Sequence, residues 1–314
     1  MSNSEDQKFN LVQNDEINLY ALLTILWGRK FLLLFLIIFS SLSSVFYALS
    51  LPNIYRSDAL LANANNEQSN LGNLGNYAGL ASMAGIRMPS VDSDRTVEAI
   101  ERIQSFEFFS NYFLPSISLQ NLMAVKNWEP STNTVFYDEK IFSSELNKWT
   151  RDFSYPQLQT PSAQESFETY KDIMSITINE KTSFISLSVK HMSPYVARDW
   201  VQKIIYAINE SIRDEERIKA TRSLDFLNKE LLKVNYSKIK ESIAQLQQEQ
   251  LKLLMMIESN EDYIFKTLNS PIAPELKSEP KRKVLVILLS FLGLMMSIIL
   301  VLLLSFINFK SPDD

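Results

Sequence analysis

Two groups of side chains have types and spacings suited to recognition. The first is Pro271, Pro274 and Pro280, followed at once by Lys281, Arg282 and Lys283. Prolines at this density set φ and remove N–H donors, so the segment reads as a stiff, non-helical collar. Three adjacent cations suit an anionic layer. Their aliphatic stems let them snorkel to phospholipid headgroups. The second group is Arg213, Arg217 and Arg222 within the polar run RDEERIKATR. Its simplest role is a solvated or inter-subunit face, so these three arginines are the candidate oligomer contact. Asp214, Glu215 and Glu216 do not read as a catalytic carboxylate pair, because adjacent helical positions point in different directions and nothing around them supplies a cleft.

Other chemistries are narrowed by composition. The 314 residues include no cysteine and one histidine, His191. Disulfides, thiolate metal sites and cysteine nucleophiles are thereby excluded, as are multi-histidine metal sites. A formal net charge of -5 gives no support to nucleic-acid binding. Gly72, Gly75, Gly79 and Gly85 cluster in NLGNLGNYAGLASMAGIRM. That stretch lacks the strand, the helix and the GxGxxG or GKS/T spacing needed to cradle phosphate, and reads as a mildly apolar loop. No cofactor and no catalytic residue is expected. The triplets at Asn209 and Asn235 fit the glycosylation pattern but fall in a helical stretch, and read as chance.

The elements that must position these residues start with two apolar runs. Residues 31–51 and 284–309 carry no charge, and both exceed the roughly 18 apolar residues that suggest a spanning helix. A signal peptide fits the first run poorly, since Glu5, Asp6, Asp15 and Glu16 precede it. Trp27, Arg29 and Lys30 suit the headgroup layer. Ser40, Ser44 and Ala48 share one helical face, and Ser290, Gly293 and Ser297 form a weaker version in the second run. Small residues let helix backbones approach in lipid, so both sets are expected to mediate packing between spans. The resulting organisation is a tail and juxtamembrane helix (1–30), a span (31–51), one large domain (52–283), a second span (284–309) and a short tail (310–314).

Within the large domain, NIYRSDALLAN after Pro52 reads as a strand. Residues 94–113 read as a helix through Val97, Ile100, Ile103, Phe106, Phe109 and Phe113. The proline-bearing stretch 115–161 reads as irregular. IMSITI and FISLSV alternate around NEKTS and predict a hairpin. Ser193 and Pro194 are a good helix start, and neither Gly nor Pro occurs from Tyr195 to Ser270. A helix over about 194–258, continuous or softly bent, follows. If continuous it would reach on the order of 90 Å. YIFKTL then reads as a final strand, pairing with the one after Pro52.

Orientation is not settled by charge. Near the span ends Arg29, Lys30 and Lys310 lie on the terminal side, and Arg56, Lys277, Lys281, Arg282 and Lys283 on the loop side. The bare count places the loop in the cytoplasm. Long loops, however, cross membranes largely regardless of charge, and the first span often dominates.

Several strings resemble the bacterial chain-length determinants, the Wzz-type polysaccharide co-polymerases. They are DEINL at 15–19, GLASMAGI at 79–86, HMSPYVARDWVQKIIYAINESIR at 191–213 and, most specifically, SPIAPELKSEPKR with Pro271, Pro274, Pro280 and Arg282. The second span keeps only Gly293 of a usually glycine-richer pattern. The resemblance implies an α+β membrane protein. In it two transmembrane helices flank a periplasmic domain with an α/β membrane-proximal base and a very long protruding helix. It also implies an inner-membrane location with both termini cytoplasmic, a non-enzymatic role and a ring-like homo-oligomer. The partners it implies are a membrane polysaccharide polymerase, membrane lipids and the lipid-linked polysaccharide, whose pyrophosphate is the sharper candidate partner of Lys281, Arg282 and Lys283. The output it implies is the modal length of a surface polysaccharide such as O-antigen. Other readings are a two-span sensor and a periplasmic adaptor or structural subunit of an export complex. The sensor would need an output domain that the residues after Phe309 cannot form.

Overall fold

A computed structural model describes residue 24 and residues 26–64 and 91–309. The 79–86 and 15–19 strings, the glycine cluster and Lys310 lie outside the described residues. The chain divides into two units, Met1–Asn53 with Ser278–Asp314, and Ile54–Lys277.

The first unit is a helix pair. Helix α1 (Lys30–Ser50) and the C-terminal helix, Arg282–Phe309, are both long and apolar enough to cross a membrane. Most of their large side chains face outward, among them Phe31, Phe35, Phe39, Ile287, Leu288 and Phe291. An apolar helix that leaves these groups uncovered is at home in lipid.

The second unit is built on a four-stranded antiparallel sheet. Strand β1 (Tyr55–Asn63) is followed by helix α2 (Val91–Ile103) and then α3 (Phe106–Phe108), which runs on into a π turn over Phe109–Phe113. After the short helix α4 (Leu119–Met123) come two small ribbons, β2 (Val125–Glu129) with β3 (Thr134–Tyr137), and β4 (Phe142–Ser143) with β5 (Lys148–Trp149). Helix α5 (Ala163–Ile173) leads to β6 (Met174–Ile178) and β7 (Ile185–His191). Helices α6 (Pro194–Lys233) and α7 (Ser237–Ser259) follow, then β8 (Phe265–Asn269). The C-terminal helix is α8.

The sheet order is β6-β7-β1-β8. The hairpin read from IMSITI and FISLSV is present as β6 and β7, with Met174 opposite Val189 and Ile178 opposite Ile185. The last strand pairs with β1 as expected, with a register shift between Leu60 and Leu61. Strand β1 alternates, burying Ser57, Ala59 and Leu61. Against the sheet lies the apolar stripe of α6, made of Trp200, Val201, Ile204, Ile208 and Ile212, all buried. Ile100, Ile103, Phe108, Phe109, Phe113 and Tyr170 complete the core. Each large side chain sequestered here contributes about 2–3 kcal/mol. The Tyr170 hydroxyl donates to the Ile103 carbonyl at 3.0 Å, which satisfies the one polar atom that ring carries inside, and burial pushes its pKa up.

Three expectations need correction. The 94–113 helix is interrupted at Gln104–Ser105, where the Ser105 hydroxyl caps the next turn by accepting from the Phe108 N–H. Val97 is half exposed rather than buried. The 115–161 stretch is not irregular throughout: α4 and both ribbons lie in it, and the ribbons carry Trp128, which meets Tyr55, and a run of edge contacts from Tyr137 to Phe142 to Trp149.

The third correction concerns the long helix. It starts on the Ser193 cap and Pro194 as expected, with the Ser193 hydroxyl accepting from the Val196 N–H, and its 40 residues reach about 60 Å. It does not continue to 258. Val234 and Tyr236 are extended, with φ/ψ of -92°/130° and -83°/124°, and α7 folds back along α6. Arg217 meets Glu258, and Gln247 donates to Asn228, so the two helices run antiparallel. No glycine or proline marks the reversal. A β-branched residue, an asparagine and an aromatic residue, all poorer helix formers than their neighbours, occupy it.

Candidate functional site

The candidate residues fall in three places. The first is the contact between α1 and α8. Ser44 and Ala48 are buried, and the Ser44 and Ser290 hydroxyls lie 3.2 Å apart. A side chain on Gly293 would overlap that of Ser40, so glycine is required for this approach. Ser297, also buried, donates to the Gly293 carbonyl at 2.7 Å. The structure thus brings Ser40, Ser44, Ser290 and Gly293 into one antiparallel seam. Small residues and hydroxyl pairs are what hold helices together where apolar burial provides no drive. Beside the seam runs a groove of about 650 Å³, lined by Phe39, Ser40, Tyr47, Leu292 and Met296.

The second place is the proline segment. Residues 270–281 form no helix, as three prolines dictate. Pro271 is buried in the Ile54–Lys277 unit, and next to it the Ile272 carbonyl accepts from the Ser57 hydroxyl at 2.7 Å. This pins the departing chain alongside the start of β1. Pro274 is half-buried in the same unit; Pro280 belongs to the other. The three cations separate in role. Lys281 and Lys283 are exposed. Arg282 is turned inward, its Nη2 donating to the Leu51 carbonyl at 3.0 Å and to Asn53 Oδ1 at 3.1 Å. A guanidinium fork can bridge two acceptors at once where an ammonium cannot. Arg282 is therefore a clasp between the end of α1 and the start of α8, while Lys281 and Lys283 stay on the surface.

The third place is the α6–α7 hairpin. Arg213 pairs with Glu210 and donates to the Asn260 carbonyl at 3.2 Å. Arg217 pairs with Asp214 and, at 2.7 Å, with Glu258. Both arginines thus make contacts within the chain's own hairpin. Arg222 is exposed. The neighbouring acids diverge as expected: Glu215 pairs with Lys219 and Arg102, and Glu216 with Arg95 and the Tyr263 hydroxyl. Hydrogen bonds from Lys219 and Arg102 hold Glu215 below the usual carboxylate range. The Tyr263 phenol is pushed up, by burial first and then by Glu216. Among the described residues no group of histidine and carboxylates stands ready for a metal ion.

Two structural keys were not anticipated. Asn209, in one of the glycosylation triplets, is buried; its Oδ1 accepts from the N–H groups of Ile264 and Phe265, and its Nδ2 donates to the Phe265 carbonyl. Helix α5 went unread, although Ser162-x-x-Glu165 is a capping signature and the Ser162 hydroxyl accepts from the Glu165 N–H.

Residues 15–113 match the family model for Wzz, the chain length determinant protein. That stretch is similar to the Wzz family. Among the described residues it takes in α1, β1, α2, α3 and the π turn, so the Wzz match covers the first helix of spanning length and one of the sheet's two inner strands. No curated protein matches the chain. Solved structures similar to it include a full-length bacterial polysaccharide co-polymerase, at 14% identity and a TM-score of 0.42, over 94% of this chain and all of the other. Another is a fragment of WzzB, a polysaccharide co-polymerase from Salmonella Typhimurium, at 13% identity and a TM-score of 0.31, covering 72% of this chain and all of that fragment.

Proposed function

We propose that this protein sets the chain length of a surface polysaccharide, O-antigen being the foremost candidate, as a non-enzymatic co-polymerase in the bacterial inner membrane. The observation that carries the reading is the Wzz match across the first span and β1, in a chain whose far end holds a second helix of spanning length. In this reading both termini are cytoplasmic and the Ile54–Lys277 unit is periplasmic. Several copies form a ring through their bases and helical hairpins. Exposed apolar side chains on the hairpin, such as Phe226, Leu232, Tyr236 and Met255, are consistent with a partner helix there. The α1–α8 pair presents its groove to the membrane polymerase, and the assembly biases when the growing lipid-linked chain is released. Pro271, Pro274 and Pro280 act as a stiff connector, while Lys281 and Lys283 hold headgroups or the pyrophosphate of the lipid-linked glycan.

A second reading draws on the α6–α7 hairpin, since a periplasmic adaptor of a polysaccharide export complex also uses antiparallel helices. Gene deletion followed by a gel of surface polysaccharide separates the two. Length control predicts that the modal band pattern is lost while total polymer persists. Export predicts that surface polymer falls and accumulates inside the cell. An unchanged ladder would remove both readings. Replacing the three prolines together by alanine is expected to shift or broaden the distribution without lowering total polymer.

A further inference from the structure

Both chain ends of the Ile54–Lys277 unit leave from one edge, because the Ser57 hydroxyl holds the Ile272 carbonyl beside the start of β1. That edge carries aromatic side chains drawn from three elements. The Tyr55 and Trp128 rings meet nearly edge-on with centroids 5.4 Å apart, and Trp128 lies 6.3 Å from Tyr195 in the first turn of α6. The Arg198 guanidinium sits 5.9 Å over the Tyr195 ring. Tyr195 and Arg198 are exposed, Tyr55 and Trp128 are half-buried, and Phe136 of the β2–β3 ribbon is 51% exposed.

We propose that the Tyr55–Trp128–Tyr195 cluster, with Arg198, is a bilayer-interface contact that seats this edge of the unit among phospholipid headgroups. The covalent chain supports that occupant. Tyr55 follows Leu51, the C-cap of α1, by four positions, so it lies within about 14 Å of that cap however the connector runs. The residue types fit as well. Tyr, Trp and Arg combine an apolar body with a polar tip, the combination that concentrates at membrane–water boundaries. A sugar ring is a poorer occupant. The Trp128 ring already meets Tyr55 and Tyr195, and its indole N–H is already donated to Asn133 Oδ1 at 2.9 Å. This inference rests on α1 spanning the bilayer and is independent of length control.

The absence of native cysteine makes the test direct. Single variants Thr132→Cys at the tip of the β2–β3 ribbon, Asn235→Cys at the α6–α7 reversal and Phe35→Cys on α1 are spin-labelled in the full chain. Each is then placed in nanodiscs of phosphatidylethanolamine and phosphatidylglycerol. Collision with an aqueous nickel complex is expected to be several-fold weaker at position 132 than at 235. Adding Tyr195→Ser, a change at an exposed residue, is expected to restore much of that accessibility. Equal accessibility at 132 and 235 overturns the proposal. So does shielding of position 132 that appears only when soluble oligosaccharide is added, which would assign the cluster to glycan. A label at position 35 that meets nickel more readily than oxygen would overturn the span itself.

Discussion

Asn209 and Phe265 exchange hydrogen bonds in both directions, with the carboxamide accepting from the Phe265 N–H at 3.0 Å and donating to its carbonyl at 3.1 Å. A third bond, from the Ile264 N–H at 2.9 Å, uses the same oxygen. One side chain in the middle of α6 thereby satisfies the entry of the edge strand, at a place where water is excluded. Asn209→Ala would leave two donors and an acceptor buried without partners, at about 1–3 kcal/mol each before relaxation. The expected outcome is a lower denaturation midpoint, with Asn209→Asp also destabilised because the Phe265 carbonyl loses its donor. A midpoint unchanged in Asn209→Ala would show that solvent reaches the site.

The seam between the spans predicts a crosslink. Ser44→Cys with Ser290→Cys is expected to form an intramolecular disulfide on mild oxidation, since the native hydroxyls lie 3.2 Å apart. Adding Gly293→Val should abolish it, because the new side chain would occupy the space of Ser40. Gel mobility before and after reduction reports both outcomes.

His191 predicts a pH dependence of stability. Its Nδ1 accepts from the Ser193 N–H, so the proton sits on Nε2, which donates to the Asn121 carbonyl; both bonds measure 2.9 Å. Burial holds its pKa below the usual histidine value. The unfolded chain therefore binds a proton at a pH where the folded chain does not. The stabilisation is fully present above about pH 6.5 and is lost as pH falls below it through the depressed value. Denaturation midpoints should drop between neutral pH and about pH 5, and the drop should shrink in His191→Gln. A slope equal in both proteins would refute the assignment.

Arg151 predicts local protection. It pairs with Glu165 and donates to the Gln159 carbonyl at 2.9 Å, and a second donation reaches the Leu158 carbonyl, which ties a loop to the first turn of α5. The loop displays Phe153, Leu158 and a Tyr155 that is 95% exposed. Glu165→Gln is expected to speed chymotrypsin cleavage within 152–159 severalfold while changing the global unfolding free energy by less than about 1 kcal/mol. Cleavage at the native rate would mean that the backbone holds the loop without the ion pair.

Long uniform patterns were the ones legible in the sequence. The two apolar runs and the β6–β7 alternation each repeat one preference over many residues, and the cap and proline that start α6 carry a local signal of their own. Local propensity and burial agree there, so the reading needs no tertiary information. Where the chain turned back was another matter. Residues 234–236 carry no glycine or proline, and an apolar stripe on α6 looks the same whether it ends free or against α7. Only antiparallel packing, with Arg217 reaching Glu258 and Gln247 reaching Asn228, decided between one helix and two. The same holds for individual polar side chains. Sequence placed Arg213 and Asn209 on a helix and Arg282 in the basic run before the second span, but a hydrogen bond joins residues distant along the chain. Arg282 to Leu51 and Asn209 to Phe265 exist only once the backbone has folded, and that is why a basic anchor proved to be a clasp and a chance glycosylation triplet proved to be a buried pin.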